Sequence, residues 1–287
     1  IDDIEVISLS ESKSHVTISS KEFKSQKIRQ FQATRVYLAS GVLSTAKIML
    51  RSFENNNVSL SIKSSQYFLF PGLITGKLGK DKSSDNHAMS QSFVKIYGSF
   101  LKKNPAHLQM YTKSDFLFES FKTKVNFLPS FIINYFKKYL DRVVIFQGYL
   151  HSHETSSRYL HYSVDLETKK NILRISNSKY ERSTKKIVRK ILLKLYKNKS
   201  KIGFLTLPFL YSMGNFGYGF HVGSSFPMSK TPKGRQSDIY GRPYGLKKIH
   251  IVDASIFPSI PASTITYTVM ANSYRIGDLY ADYKDDN

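Results

Sequence analysis

The sequence predicts a mixed fold, α+β with an α/β part, that includes a mainly antiparallel sheet. Two observations predict it. Apolar strands followed by a turn and a helix occur near both ends, around residues 36–52 and 248–280. Between them, residues 58–210 show long stretches of alternating or β-rich composition with polar loops. We therefore expect three segments, 1–57, 58–213 and 214–287.

The amino-terminal segment predicts a hairpin or small sheet and then a strand, a turn and a helix. Ile4 to Leu9 and His15 to Ser19 alternate as strands do, and a basic, turn-rich piece follows them. Val36 to Leu38 is the next apolar strand and Ser44 to Ser52 the next helix. The Asn-rich tract 55–57 breaks the pattern and marks an expected domain crossing.

The middle segment predicts strands and helices that suit a mainly antiparallel sheet. Strands are expected at Tyr67 to Leu73, Ala88 to Tyr97, Leu108 to Tyr111, Val143 to Leu150, Ser157 to Val164 and Asn171 to Ile175. Helices are expected at Ser114 to Lys122, Ser130 to Leu140 and Ser183 to Lys197.

The carboxyl-terminal segment combines a Gly- and aromatic-rich loop, a short buried strand and a helix. The strand covers residues 248–252 and ends at Asp253, and ligands of open α/β sheets collect at such strand ends. A helix follows, for which Ser263 or Thr264 is the expected N-cap. Its first N–H groups, as far as Thr266, carry partial positive charge and would face an electron-rich or anionic group.

Composition limits the class of protein. The 287 residues are enough for one large core or two smaller ones, and the absence of cysteine excludes disulfides and thiolate metal sites. Residue 1 is Ile, and residues 1–8 begin as if already inside a strand, so we expect a fragment of a longer protein. No secretory signal and no apolar run of transmembrane length is visible. The expected location is the cytoplasm, with peripheral membrane contact as the alternative.

The net charge of +22 suits a polyanionic partner, but most of the cations are scattered along the chain. One stretch is denser. Lys185 to Lys201 contains eight Lys or Arg and no acidic residue, with apolar residues at helical spacing. The simpler interpretation is a surface helix with a solvated basic face. Peripheral binding to a membrane or an anionic polysaccharide is the alternative, and we do not expect nucleic acid as the partner.

Two parts of the chain resemble the glucose-methanol-choline (GMC) flavin oxidoreductases. The segments HVGSSFPM (His221 to Met228), IHIVDASIFPSIPAS (Ile249 to Ser263) and TYTVMANSYRIGDLY (Thr266 to Tyr280) are similar to the family's carboxyl-terminal region. VYLASGVLSTAKIMLRS (Val36 to Ser52) is similar to its strand–Gly–helix segment, and the matches follow the family's order. The resemblance implies part of a Rossmann-like FAD-binding domain with an inserted substrate-binding domain. The sheet of that inserted domain would wall the substrate side of the flavin.

The resemblance also implies roles for individual positions. His221 matches the active-site histidine, which accepts a hydroxyl proton while hydride leaves the adjacent carbon for the flavin. Asp253, with Ala254 beside it, matches the acid that hydrogen-bonds the ribityl chain of FAD. Gly41, with Ala39, matches the turn that passes close to the adenosine half of the cofactor.

One position departs from the family pattern. Thr264 stands where most members have a second His or an Asn. Its hydroxyl can hydrogen-bond a substrate oxygen but cannot hold a proton as imidazole does. Thr264 is equally well explained as a helix cap, and plainer alternatives for His221 and Asp253 are a structural histidine and a turn cap. The helix expected to start near Thr264 would stabilise negative charge on the reduced flavin, and Thr266 in its first turn is a candidate cofactor-binding residue.

The GxGxxG turn that brings a backbone close to the cofactor pyrophosphate occurs nowhere in the sequence. We therefore interpret the chain as the carboxyl-terminal part of an FAD-dependent oxidoreductase that oxidises a CH–OH group of a small alcohol, a sugar or a polysaccharide precursor. It would be inactive without an amino-terminal FAD-binding segment. The alternative is a non-catalytic basic module, derived from a flavoprotein, that holds an anionic glycan, a membrane surface or nucleic acid.

Three histidines, His151, His153 and His161, raise the question of a metal site. His151 and His153 are two apart and would point the same way on a strand, a spacing that can bind a metal. No third ligand has suitable spacing, since Glu154 would lie on the opposite face of that strand. We therefore expect ordinary polar residues and no metal.

Overall fold

Antiparallel strand pairing builds most of the structure, which is a computed structural model. It describes residues 2–53, 58–77, 90, 92–102, 104–111, 142–155, 157–164, 171–175, 182–215 and 221–281. The chain divides into two compact units. Unit 1 comprises Ile1–Ser64, Ser156–Lys179 and Phe220–Asn287, and unit 2 comprises Ser65–Thr155 and Tyr180–Gly219. The predicted mixed α+β fold with antiparallel sheets is confirmed.

The described strands are, in chain order, β1 (Ile4–Glu11), β2 (Val16–Glu22), β3 (Ile28–Ala33), β4 (Val36–Leu38), β5 (Val58–Ser64), β6 (Gln66–Ile74), β7 (Ser92–Ile96), β8 (Ala106–Tyr111), β9 (Val143–Leu150), β10 (Arg158–Val164), β11 (Asn171–Ile175), β12 (Phe204–Thr206), β13 (Ser212–Met213), β14 (Val222–Gly223) and β15 (Ile249–Ile251). The described helices are α1 (Val42–Ser52), α2 (Arg182–Lys197), α3 (Lys199–Ile202) and α4 (Thr266–Ala281). Within these residues no helix is both long and apolar enough to cross a membrane.

The described part of unit 1 contains two antiparallel sheets and one parallel strand pair. The strands β1, β2 and β3 form one sheet, and a second has the order β11-β10-β5-β14. Strand β15 pairs with β4 in parallel, with Ile249 opposite Val36 and Ile251 opposite Leu38. Since both strands run the same way, their carboxyl ends meet at one edge, where α1 begins.

The described part of unit 2 is a six-stranded sheet with helix α2 packed on it. Its strand order is β12-β6-β9-β8-β7, and β13 pairs with β6. The apolar stripe of α2 is buried against the sheet together with an aromatic stack, in which the ring centroids of Phe70 and Phe146 are 4.9 Å apart and those of Phe146 and Phe204 are 4.7 Å apart. A stripe at helical spacing therefore explains why this lysine-rich segment folds as a helix.

Several features differ from the sequence-based expectation. Strand β3 lies within the piece expected to be turns, because its backbone pairs with β2 along its whole length although its side chains are mostly exposed. Strand β5 belongs to unit 1, where it pairs with β10 and β14, whereas the expected boundary lay just before it. The helices expected at Ser114 to Lys122 and Ser130 to Leu140, and the tract 55–57, lie outside the described residues.

Candidate functional site

The carboxylate of Asp253 joins the carboxyl ends of the two parallel strands of unit 1. Its Oδ2 accepts hydrogen bonds from the Gly41 backbone N–H at 2.9 Å and from Thr45 Oγ1 at 2.5 Å. Its Oδ1 accepts from the backbone N–H of Ser255 at 2.8 Å, and the side chain is only 7% exposed. A buried carboxylate requires such donors, because an unpaired buried charge is costly. Asp253 therefore holds β15, the turn after β4 and α1 together.

Local sequence explains why each partner is available. Asp253 is the N-cap of a 3₁₀ turn, Ala254–Ile256, and such turns favour a short side chain that accepts from an N–H two residues on. Gly41 precedes the first residue of α1 and has a φ of 80°, in the left-handed region that glycine adopts without strain. Thr45 lies on the buried face of α1, one turn beyond Gly41.

The segment that contains His221 is held against the turn that follows Asp253. The backbone N–H of Ser224 donates to the Ala254 carbonyl at 3.1 Å, and that of Phe226 donates to the Ser255 carbonyl at 2.9 Å. A Cβ on Gly223 would lie 2.4 Å from the Ala254 carbonyl oxygen, so only glycine permits this approach. The geometry thus brings the HVGSS segment and the Asp253 turn into one site within unit 1.

His221 itself immediately precedes β14, whose first residue, Val222, pairs with Ser64 of β5. It is half-buried. The neighbouring backbone is therefore fixed on one side by β5 and on the other by the Ala254 turn. Ala254 is buried and contributes its carbonyl to this contact.

Thr264 and Thr266 lie on the exposed part of the same carboxyl-terminal segment. Helix α4 begins at Thr266, and its first turn includes a hydrogen bond from the Val269 N–H to the Ile265 carbonyl. The expected N-cap, Ser263 or Thr264, thus stands ahead of the observed helix start. The buried side chain of Ile265 sets that start, since it packs inward while Thr264 and Thr266 face outward.

The residues at this edge fit the FAD that the family resemblance implies. Ala39 and Gly41 are exposed at the end of β4, and a Cβ on Gly41 would meet no atom within 4 Å, so the turn presents an open backbone. The Asp253 carboxylate already accepts three hydrogen bonds and retains room for another, since two carboxylate oxygens offer about four acceptor positions. An open backbone turn next to a spare acceptor suits a ligand with hydroxyl groups.

A second candidate surface is one face of the sheet of unit 2. Side chains alternate along the strands, so the residues next to the core residues Phe68, Leu108 and Phe146 point to the other face. The strand register places them in rows: Tyr67 opposite Tyr149, Tyr149 opposite His107, and Gln147 opposite Gln109. We call this set, together with Tyr111, the polar sheet face.

Hydroxyl and amide groups are connected across the polar sheet face. Tyr111 Oη donates to Gln109 Oε1 at 3.0 Å, and Tyr149 Oη donates to Gln147 Oε1 at 3.4 Å. Burial, reinforced by the neighbouring Tyr67 and Tyr111, raises the pKa of Tyr149 to about 12, so its hydroxyl remains a proton donor at neutral pH. The face therefore offers donors and acceptors side by side.

His107 is the most distinctive member of the polar sheet face. It is 9% exposed and stacks on Phe93 with ring centroids 5.2 Å apart, and its Nδ1 has no hydrogen-bond partner among the described residues. Burial, together with the positive charge of Lys95, lowers the pKa of His107. The imidazole is thus neutral at neutral pH, and its Nδ1 is buried rather than presented to a ligand.

The three histidines considered for a metal do not lie as expected. Strand β9 ends at Leu150, so His151 and His153 are not on a strand; His151 Nδ1 instead accepts from the His153 N–H at 3.1 Å at the start of a 3₁₀ turn. Glu154 Oε1 accepts the Lys102 N–H at 2.6 Å. His161 lies on β10 and is paired with the Ser59 hydroxyl. The described residues contain no group of three metal-ligating side chains.

Sequence reasoning missed Thr45 and the polar sheet face. Thr45 could have been suspected, because a threonine among apolar residues on the inner side of a helix needs a buried partner. The polar sheet face was expected only as an unspecified wall. Alternation within each strand indicates which residues share a face, but the rows across strands depend on register.

Comparison with known proteins agrees with this arrangement. The family model described as GMC oxidoreductase matches residues 126–273. Among solved structures, the chain is similar to the crystal structure of pyridoxine 4-oxidase from Mesorbium loti, with a TM-score of 0.60 and 12% sequence identity, over 98% of this chain and 57% of that chain. At that identity the likeness shows the fold. The comparison with curated proteins found no match.

The chain therefore spans little more than half the length of the structure it resembles. The family match covers more than half of the 287 residues and includes the His221 segment, the Asp253 turn and the start of α4. On this evidence the chain belongs to the GMC oxidoreductase family and carries its carboxyl-terminal portion.

Proposed function

We propose that this chain is the carboxyl-terminal part of an FAD-dependent oxidoreductase that oxidises a CH–OH group to a carbonyl. The observation that carries the proposal is the bond network at Asp253, which joins the Gly41 turn, Thr45 and the Ser255 N–H at one edge of unit 1. The HVGSS segment is bonded to the same turn through the Ala254 carbonyl. A cofactor turn and a histidine segment are thereby held together.

His221 is the base of the proposed reaction. It would accept the proton of the substrate hydroxyl, and general base catalysis of this kind contributes about 10² to 10⁴-fold. Bound FAD would supply the acceptor for the hydride that leaves the carbon bearing this hydroxyl. The backbone that directly follows His221 is fixed by pairing with β5 and by the hydrogen bond to Ala254, which suits a group that must be held in place for proton transfer. Thr264, which is exposed, would act at most as a hydrogen-bonding group.

Asp253 has a positioning role and would offer its remaining acceptor site to a hydroxyl of the ribityl chain. Gly41 and Ala39 would leave room for the adenosine half of the cofactor beside the backbone. The amino end of α4, near Thr266, would stabilise negative charge on the reduced cofactor.

The polar sheet face supports a substrate with several hydroxyl groups, such as a sugar. Its Tyr and Gln groups form alternating donors and acceptors beside aromatic rings. Such a surface can hydrogen-bond hydroxyls and pack against the apolar side of a sugar ring. A purely aliphatic alcohol would leave these groups unpaired at a cost.

Helix α4 carries a surface that would pack against the amino-terminal FAD-binding segment. That segment would supply the turn that binds the cofactor pyrophosphate. Tyr267 is 82% exposed, Met270 60% and Tyr274 75%, and their spacing puts them on one side of the helix. Large side chains exposed at helical spacing favour a packing partner. This chain covers 57% of the matched pyridoxine 4-oxidase chain, and the uncovered part of that chain leaves room for such a segment.

The test begins with the protein expressed together with any coding sequence that precedes it in frame. Its flavin content is measured by visible absorbance, and reduction by alcohols and sugars is followed without oxygen. We expect bound flavin in the wild type and in His221→Ala, and reduction by substrate only in the wild type. Loss of flavin in His221→Ala would assign the histidine a structural role, and reduction at the wild-type rate would remove it from the mechanism.

The same preparation separates the oxidoreductase from the alternative, a non-catalytic basic module. A protein that contains no flavin, even with the preceding coding sequence, and that binds polyanions in a salt-sensitive way would support the module. For the polar sheet face of unit 2, Gln147→Leu should weaken the binding of sugars by about tenfold, the cost of one lost hydrogen bond. Unchanged sugar binding would show that this face does not hold the sugar.

A further inference from the structure

The outer side of helix α2 is a cationic surface that the fold of unit 2 keeps exposed. The buried face, which includes Val188, Ile191, Leu192 and Leu195, is committed to the core. All nine Lys and Arg side chains between Arg182 and Ile202 are exposed, and no acidic residue interrupts them. The buried stripe therefore holds the helix with its charges outward. Its apolar face is used in the core of unit 2 and does not contact an external partner.

The positive charge of this surface is not balanced by acids on the described part of unit 2. Glu154 is the one acidic residue there; it is 5% exposed and its carboxylate accepts the Lys102 N–H. Among the described residues the cations of α2 are thus not opposed by exposed acids, and such a surface attracts an anionic partner over a Debye length of about 8–10 Å at physiological salt.

An exposed apolar loop lies next to this helix. Leu207 is 36% exposed, Phe209 77% and Leu210 47%, immediately after β12. The Leu210 N–H donates to the Leu207 carbonyl at 3.0 Å, closing a turn. The strands on both sides, β12 and β13, pair with β6, so the loop is anchored at both ends. The exposure of Phe209 is therefore built into the fold of unit 2.

A direct bond relates the loop to the helix. Thr206 Oγ1 donates to the Leu192 carbonyl at 3.2 Å, so the start of the loop adjoins the middle of α2. The neighbour of Leu192, Leu193, is 43% exposed and lies on the outward side of the helix among the cations. Cations and exposed apolar side chains are thus combined on neighbouring elements of unit 2.

We propose that α2 and the 207–210 loop form a surface that binds an anionic phospholipid bilayer. Cations would contact the headgroups, and Phe209 with its leucine neighbours would enter the boundary between headgroups and acyl chains. A glycan or a nucleic acid would use the cations but has no comparable use for the exposed leucines. The proposal is independent of redox activity, since it uses no residue of the candidate active site.

The experiment measures binding of the full chain to sedimented vesicles. Vesicles of phosphatidylcholine alone are compared with vesicles containing about one-third phosphatidylglycerol. The first variant neutralises four outward cations, K186Q/R189Q/K190Q/K197Q, with glutamine, which retains helix propensity. Since each basic residue near an anionic bilayer is worth about fivefold in affinity, the variant should bind about 100-fold or more weakly. The second variant, Phe209→Ser, should weaken binding several-fold and make the remainder more sensitive to salt.

Matched controls alter other surfaces to the same extent. The variant K13Q/K24Q/K27Q/K233Q removes four exposed cations of unit 1, and Phe23→Ser removes a phenylalanine that is 59% exposed there. Both should bind vesicles nearly as the wild type does. Far-ultraviolet circular dichroism and urea unfolding verify that each variant is folded.

Three results would overturn the proposal. One is equal binding to neutral and anionic vesicles, and another is wild-type binding by the α2 variant. The third is tight binding to heparin or an oligonucleotide with no vesicle binding and no effect of Phe209→Ser, which would identify a soluble polyanion as the partner.

Discussion

The hydroxyl of Thr45 donates a 2.5 Å hydrogen bond to Asp253 Oδ2 across 208 residues of sequence. Thr45 is on α1, directly after β4, and Asp253 ends β15, the parallel neighbour of β4. The bond therefore connects α1 to the end of β15 at the edge where the cofactor is proposed to bind. It is the contact on which the candidate active site most depends.

The first prediction concerns this contact. Thr45→Val removes the hydroxyl without changing shape much and should lower the free energy of unfolding by about 2 kcal/mol, since a hydrogen bond to a charged group is lost. Asp253→Asn should cost about 2–3 kcal/mol, because three donors, two of them in buried hydrogen bonds, lose a charged acceptor. Urea unfolding of both single variants and the double variant should show a coupling energy of about 1–2 kcal/mol.

Thr268→Val and Asp278→Asn serve as controls for these two changes. Both residues are exposed on α4, and we expect changes within about 0.5 kcal/mol. Additive effects of Thr45→Val and Asp253→Asn would show that the two side chains do not support each other.

The second prediction contrasts two glycines of unit 1. Gly223→Ala should destabilise by about 1–3 kcal/mol, because the new Cβ would lie 2.4 Å from the Ala254 carbonyl oxygen and 2.6 Å from Ile260 Cδ1. Gly277→Ala should stabilise by about 0.5–1 kcal/mol, because it lies within α4 and its Cβ would meet nothing within 4 Å. Thermal and urea unfolding measure both, and a neutral Gly223→Ala would show that the close approach is absent.

The third prediction concerns the aromatic core of unit 2. A Cβ on Gly148 would lie 2.2 Å from the ring of Phe68, which is fully buried. Gly148→Ala should therefore cost about 1–3 kcal/mol. Adding Phe68→Leu, which shortens the side chain in conflict, should recover part of that loss. If the double variant is less stable than the sum of the two single changes, the conflict does not involve Phe68.

The fourth prediction is a pH dependence from His250, a buried residue of β15 that stacks on Tyr37. Burial lowers its pKa most; Arg35 and Arg242 lower it further, whereas the bond to the Tyr240 carbonyl and the charge of Asp238 raise it. The folded state thus keeps His250 neutral. Below the unfolded-state pKa of about 6.5, the unfolded chain binds a proton that the folded chain does not, so stability falls as pH falls.

The measurement is urea unfolding between pH 8 and pH 5, for the wild type and for His250→Gln. The wild type should lose stability as the pH falls below about 6.5, and the variant should lose less over the same range. His107, whose pKa is also lowered by burial, adds to the slope in both proteins. Parallel profiles would mean that His250 binds its proton equally in the folded and unfolded states.

The resemblance to the GMC family singled out Asp253, Gly41 and the HVGSS segment in the sequence. The structure brings these residues together, and their functional roles stay predictions. The start of α4 was placed too early, because capping preference favoured Thr264 whereas burial of Ile265 sets the observed start. Strand β3 was not predicted, since its mostly exposed residues show no clear alternation and its pairing with β2 is a property of the fold.

Taken by itself, the sequence determined the local elements: an apolar stripe makes α2 a surface helix, and short apolar runs followed by turn residues make β4 and β15 strands. Only the tertiary structure decided which of them meet. The parallel register of β4 and β15 brings Thr45 to Asp253, and the register of β6, β8 and β9 assembles the polar sheet face. The physical reason is that side-chain periodicity is a local property, whereas strand pairing depends on contacts between residues far apart in the chain.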